Sequence, residues 1–275
     1  MALTVVTNTT SLSAQTQLNR TTRSLGNTFE RISSGLRINK AADDAAGMAV
    51  AENLSAASRS ARVAMRNTND GISVLQTAEG AAEEVVNIVK RMRELAVQSA
   101  SETLANAERA YIQDEYDELA SEVDRIALTS EFNGLNLADG TISQMDVQVG
   151  INNSVNDRIT ITTGDLRATV LGIDTAAVDV STATGAQAAM TTLDTALDSL
   201  NSYRSGFGAV QNRLDSALRN TETYQENLAS AESQIRDADF AWETAQMAKD
   251  QILQQAGTSI LAQANQLPSA ALSLL

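Results

Sequence analysis

The 275-residue chain has no cysteine, no histidine, a single proline and only 3% aromatic residues. Without cysteine it can form no disulfide, thiolate nucleophile or thiolate metal site. Without histidine, imidazole acids, bases and ligands are excluded as well, and no histidine-centred triad can be assembled. The lone proline, Pro268, leaves long stretches in which nothing interrupts a helical hydrogen-bond ladder. No window reaches the roughly 18 apolar residues of a membrane span, so none is expected. Residues 1–14 lack the basic start and apolar core of a cleaved secretion signal. The formal charge of -14 argues against gripping a nucleic-acid backbone.

What the chain does contain is periodicity. Leu75, Ala78, Ala82, Val85, Val89, Met92 and Ala96 recur at steps of three and four within a stretch from Asp43 to Ser99. That is the stripe of a helix buried along a narrow seam. At about 1.5 Å per residue such a helix would be roughly 85 Å long, which predicts a rod. A kink is expected at Asn69-Asp70-Gly71, and a turn over 101–107. Ile112, Tyr116, Leu119, Val123 and Ile126 mark a second helix folded back as a hairpin.

The period then changes to two. Met145, Val147 and Val149, followed by Ile159 and Ile161, alternate with polar residues and predict a short β-hairpin. The cleanest heptad follows, with Leu193, Leu200, Phe207, Leu214, Leu228 and Ile235 at one position, interrupted by Thr221. Ala196, Tyr203, Val210, Ala217, Tyr224 and Ala231 lie three residues later in each repeat.

Both chain ends have thin stripes. Leu18, Leu25 and Ile32, with Phe29, form one; Leu253, Ile260 and Leu267 form the other, which Pro268 is expected to end. Neither buries enough to stand alone, so the two are predicted to pair or to meet neighbouring copies. The first forty residues carry Arg20, Arg23, Arg31, Arg37 and Lys40 against Glu30, a basic arm on an acidic chain. The fold class is therefore mainly α: an elongated antiparallel helical bundle or coiled-coil rod with a small β-hairpin region. The segments are 1–42, 43–180, 181–235 and 236–275.

Candidate chemistry is sparse. Asp43-Asp44, Glu83-Glu84 and Asp237-Ala238-Asp239 read as surface charge or caps, because adjacent positions on a helix diverge. Gly71, Gly80, Gly206 and Gly208 do not make a phosphate loop, and Tyr203, Tyr224 and Trp242 read as packing. No catalytic, metal or cofactor site is expected. Periodicity alone points to a helical assembly protein, with a secreted helical effector as the alternative.

The individual stretches strongly resemble bacterial flagellin. The resemblance rests on Arg31-Ile32-Ser33-Ser34-Gly35-Leu36-Arg37-Ile38-Asn39, Ala41-Ala42-Asp43-Asp44-Ala45-Ala46-Gly47 and Arg66-Asn67-Thr68-Asn69-Asp70-Gly71-Ile72-Ser73. It continues in Met92-Arg93-Glu94-Leu95-Ala96-Val97-Gln98, Phe132-Asn133-Gly134, Glu232-Ser233-Gln234-Ile235-Arg236-Asp237-Ala238-Asp239 and Gln263-Ala264-Asn265-Gln266-Leu267-Pro268. The resemblance implies a filament subunit for swimming motility, with the two terminal arms paired inside the polymer and no large outer domain. It also implies secretion through the flagellar type III export apparatus, a C-terminal export chaperone, a filament cap and hook-filament junction proteins as partners. Lys90 to Leu95 resembles the stretch of some flagellins sensed by an animal innate-immunity receptor, with Arg91, Leu95 and Glu115 as the candidate epitope. A hook-filament junction protein or a secreted helical adhesin is the alternative.

Overall fold

Helices follow from the residues available: alanine, leucine, glutamate, glutamine and arginine carry most of the repeats, and proline is absent before residue 268. The computed structural model describes the backbone of residues 7–272 and the side chains of residues 7–266. In chain order the elements are α1 (Thr9–Ser34), α2 (Ala45–Ser99), α3 (Asn106–Thr129), β1 (Glu131–Phe132), β2 (Leu135–Asn136), β3 (Gln144–Gln148), β4 (Arg158–Thr162), α4 (Ala168–Leu171), α5 (Ala183–Arg236) and α6 (Phe240–Leu272). The chain is mainly α, 74% helical among the described residues. Its many Ser and Thr residues fit because their hydroxyls bond back to the carbonyl four residues earlier, as Thr68 does to Ala64 at 2.8 Å while fully buried.

The chain forms two compact units, one of residues 1–58 and 226–275, the other of residues 59–225. In the second unit, the α2 line from Leu75 through Val85, Val89 and Met92 to Ala96 is buried. It shares one apolar cluster with Tyr116, Ala120, Val123 and Ala127 of α3 and with Leu193, Leu200, Phe207 and Leu214 of α5. The helices pair antiparallel: α2 meets α3 at Arg91–Glu115 and Ser99–Arg109, and α5 at Arg93–Asp194 and Glu79–Arg204. Hairpin β3–β4 adds Val147 and Ile159, which face each other in its register, and Ile161. The heptad of α5 weakens toward its end, where Leu228 is buried, Ile235 half-buried and Tyr224 exposed.

The helix is not unwound at the expected kink. α2 runs unbroken through Asn69-Asp70-Gly71. Gly71 instead makes room for the hairpin: a Cβ there would lie 3.0 and 3.1 Å from the two methyls of Val147. The turn at Asn133-Gly134 is a minimal hairpin, with φ of 51° and 77° at its two central residues and Phe132 paired with Leu135. That combination is the mirror-image turn which joins tightly paired strands.

The α2–α3 elbow holds a residue that periodicity did not single out. Arg109, buried, donates from Nε to the Ser99 carbonyl at 2.9 Å and from Nη2 to the Ser101 carbonyl at 2.7 Å. It supplies the donors that carbonyls at a helix end require.

The end of α6 is also corrected: the helix continues through Pro268 to Leu272. Proline has no amide to give the Ala264 carbonyl. The Asn8 side-chain amide takes that place, donating to Ala264 O at 2.7 Å.

Candidate assembly surface

The first unit is built on the antiparallel pairing of α1 with α6. Asn8 opens α1, its Oδ1 accepting the Ser11 amide at 3.0 Å while its Nδ2 reaches α6. Ser11 Oγ donates to Asn265 Oδ1 at 2.7 Å. At the other end Gly35 caps α1 in the left-handed region. There the Arg37 amide donates to the Arg236 carbonyl at 2.7 Å and the Ala238 amide to the Gly35 carbonyl at 2.9 Å. Side chains thereby fasten one end of the helix pair, and the backbone fastens the other.

The seam between these helices differs from the expected one. On α6 its deepest positions are Glu243, Asp250 and Ala264, with half-buried Gly257 completing a seven-residue step. On α1 the buried residues are Ser11, Thr21 and Thr28, flanked by half-buried Leu18, Leu25 and Ile32. Leu18 approaches Gly257, its Cδ1 lying 3.4 Å from where a Cβ would stand. Small and polar side chains thus bring the helices close. The signal for this line was the seven-residue spacing of Glu243, Asp250, Gly257 and Ala264, hidden because none is a large apolar residue.

Leu253 and Ile260 lie off this seam. They lie three residues past the seam positions, on the neighbouring side of α6, and are 44% and 57% exposed. Trp242 and Ala256 share that side, Ile252 adjoins it at 66% exposed, and Phe29 on α1 is exposed as well. The side chain of Leu267 lies outside the described residues. Trp242 and Tyr224, read as packing, are open to solvent.

Charge organises the junction between α1, α2 and α6. Arg31 Nη1 meets Glu243 Oε1 at 3.3 Å, while Glu243 Oε2 and Asp250 Oδ2 are buried without a partner among the described residues. The paired carboxylates act as caps. Asp44 Oδ1 accepts the Gly47 amide at 2.8 Å, and Asp239 Oδ1 accepts the amides of Ala241 and Trp242. The Lys40 and Asn39 amides hold the Asp43 carboxyl below the usual carboxylate range. A cavity of about 440 Å³ opens among these groups.

Elsewhere Arg91 bonds Glu115 through Nε at 3.0 Å and Nη2 at 2.8 Å, and Glu94 through Nη1 at 3.1 Å. Arg91 and Glu115 are exposed, but Leu95 is buried in the core with only 1% exposure. Tyr116 donates to the Ile173 carbonyl at 3.2 Å, and burial pushes its phenol above the ordinary range. Among the described residues no group of three or more acidic side chains is placed to hold a metal ion, and no helix is long and apolar enough to cross a membrane.

Comparison with known proteins places this arrangement. Residues 5–143 match the bacterial flagellin N-terminal helical region, and residues 190–275 match the C-terminal helical region. A flagellin of Halalkalibacterium halodurans is 44% identical over 247 residues, 90% of each chain. The flagellar filament 33 kDa core protein of Treponema phagedenis is 39% identical over 282 residues, 98% of each. Polar flagellin C of Vibrio parahaemolyticus is 35% identical across the whole of both chains, but over 383 residues, so that relative carries segments this chain lacks. Among solved structures, Bacillus cereus flagellin superposes with a TM-score of 0.50 at 32% identity, covering 57% of this chain and 88% of its own. A putative flagellar hook-associated protein of Vibrio parahaemolyticus shares the fold, with a TM-score of 0.60 at 13% identity over 71% of this chain and 100% of that one. The chain belongs to the bacterial flagellin family, and it is a structural subunit of the flagellar filament.

Proposed function

We propose that the paired terminal helices are the part of the subunit that copies use to join one another, and that the polymer is an extracellular propeller. The observation that carries this reading is the exposed apolar side of α6, with Trp242, Leu253 and Ile260 open beside a polar seam. Covering such side chains contributes about 1.5–3 kcal/mol each, and nothing in the described chain covers them. A neighbouring copy presenting the same helix pair is the occupant a homopolymer supplies. Phe29 on α1, with Leu253, Ile260 and Leu267 on α6, are the contact residues we assign to this joint, while Leu18, Leu25 and Ile32 hold α1 against α6 so that the joint can form. Segments 1–42 and 236–275 are its arms, and 43–180 with 181–235 form the rest of the subunit.

Export as an unassembled chain through the flagellar type III apparatus accords with this surface, since it must be kept from premature contact. A chaperone covering α6 before export, a cap at the growing tip and junction proteins at the hook end complete the partners. Recognition by an animal innate-immunity receptor would rest on Arg91 and Glu115, with Leu95 supporting them from inside. Removing residues 240–275 should leave the second unit folded by circular dichroism but abolish seeded filament growth. Normal filaments from the truncated chain, seen by electron microscopy, would overturn the assignment of the arms.

A further inference from the structure

The cavity beside the start of α6 is chemically specific. Four carboxylates line it, those of Asp43, Asp44, Asp239 and Glu243, against two guanidinium groups, those of Arg31 and Arg37. Arg37 Nη2 is committed to the Ile235 carbonyl at 2.6 Å, and Arg31 Nη1 to Glu243 Oε1. Glu243 Oε2 remains buried without a hydrogen bond, in a residue only 2% exposed. A buried, unpaired carboxylate oxygen is costly unless a donor reaches it. The lining also includes the exposed indole of Trp242, a surface on which a planar cation stacks. The carboxylates are not gathered as metal ligands among the described residues. An organic cation, with several donors and a flat face, fits the lining better than a bare metal ion.

The same sequence carries a matching group. Arg59, Arg62 and Arg66 stand at steps of three and four on α2, so they share one face, and all three are exposed. None makes an ion pair or side-chain hydrogen bond among the described residues, in a chain whose formal charge is -14. Seven of the fourteen other arginines have carboxylate partners: Arg31, Arg91, Arg93, Arg125, Arg167, Arg204 and Arg236.

We propose that the cavity lined by Glu243, Asp239, Asp44 and Trp242 receives a guanidinium group from the Arg59–Arg62–Arg66 face of a second copy of this chain. The proposal rests on the filament reading and adds to it an electrostatic contact distinct from the apolar side of α6. Guanidinium suits the site because it presents five donors in a plane, enough to satisfy Glu243 Oε2 and a second carboxylate while lying on the indole. Repeated at every joint, the contact would fix register, which apolar contact alone specifies poorly.

The chain's lack of cysteine makes the test direct. Full-length chains carrying Trp242→Cys and Arg62→Cys are mixed, seeded with short filament fragments and treated with a bismaleimide. Crosslinked heterodimers should appear in filaments and not in unseeded monomer. In parallel, Arg59→Gln/Arg62→Gln/Arg66→Gln should raise the critical concentration about tenfold, with the melting temperature of the monomer unchanged. Filaments that grow at an unchanged critical concentration and give no heterodimer would overturn the docking while leaving the filament function intact. If the unsubstituted chain forms no filaments on seeding, both fall. Saturable quenching of Trp242 fluorescence in the monomer by methylguanidinium, lost in Glu243→Gln and without heterodimer in filaments, would assign the cavity to a free cation and overturn the second-copy contact.

Discussion

Asn8 does two jobs with one side chain, capping α1 through its oxygen and supplying α6 with the donor that Pro268 lacks. Asn8→Asp keeps the cap but loses the donor, so it should loosen the end of α6. Faster amide hydrogen exchange in the last turns of α6, with the start of α1 unchanged, is the expected readout. Arg109 is a stronger case because its guanidinium is buried on carbonyls and on Asn106 Oδ1. Arg109→Ala should destabilise the protein by about 2–4 kcal/mol in chemical denaturation. Arg125→Ala should stay within about 0.5 kcal/mol, since among the described residues its side chain bonds only to solvent-accessible Glu122 one turn away. Two aspartates fasten the base of the β3–β4 hairpin. Asp139 is held below the ordinary carboxylate range by hydrogen bonds from Thr141 and from Asn136, and Asp165 by those from Arg167. A lowered folded-state value means their contribution is complete above the unfolded value near 4 and disappears as pH falls through the folded one. The melting temperature should therefore be level down to about pH 5 and drop below that. Asp139→Asn should melt lower at pH 7 and show a shallower acid decline.

At the scale of elements, large apolar side chains made the second unit legible from sequence. The repeats through Leu75, Val89 and Met92, and through Leu193, Leu200 and Leu214, predict helices whose named residues are buried in one cluster. The alternation of Met145 and Val147 with Ile159 and Ile161 likewise predicts the paired strands. The α1–α6 seam was not legible, because its inner residues are Ser11, Thr21, Thr28, Glu243, Asp250 and Gly257, which a hydrophobic count passes over. The bridging role of Arg109 and the notch at Gly71 depend on chain segments far away or on the far side of a turn, which local spacing does not encode. Gly71 and Gly80 separate these two kinds of information. Both lie inside α2, but a side chain at Gly71 meets Val147 whereas Gly80 has open space around it. Gly80→Ala should stabilise by about 0.5–1 kcal/mol through helix propensity. Gly71→Leu should cost about 1–3 kcal/mol by overpacking the hairpin. Thermal denaturation of the two variants decides it, and equal effects would refute the notch.

For the whole molecule, the two compact units divide the work of the chain. The second holds a continuous apolar core from three helices and a hairpin, with what a folded body needs in order to be stable by itself. The first has a polar seam, two buried carboxylate oxygens without a partner among the described residues, and an apolar side open to solvent. Those features are expensive in an isolated subunit and become favourable when another copy covers them. A filament subunit should be built in this way, with its stability in one part and its demand for partners in another. The direct measurement is seeded growth of the full-length chain beside the double variant Ile252→Ser/Ile260→Ser, followed by electron microscopy and by melting of the unassembled chains. The account predicts long filaments from the unsubstituted chain, short or no extension from the double variant, and monomer melting temperatures that agree. Equal elongation of the two proteins would contradict it.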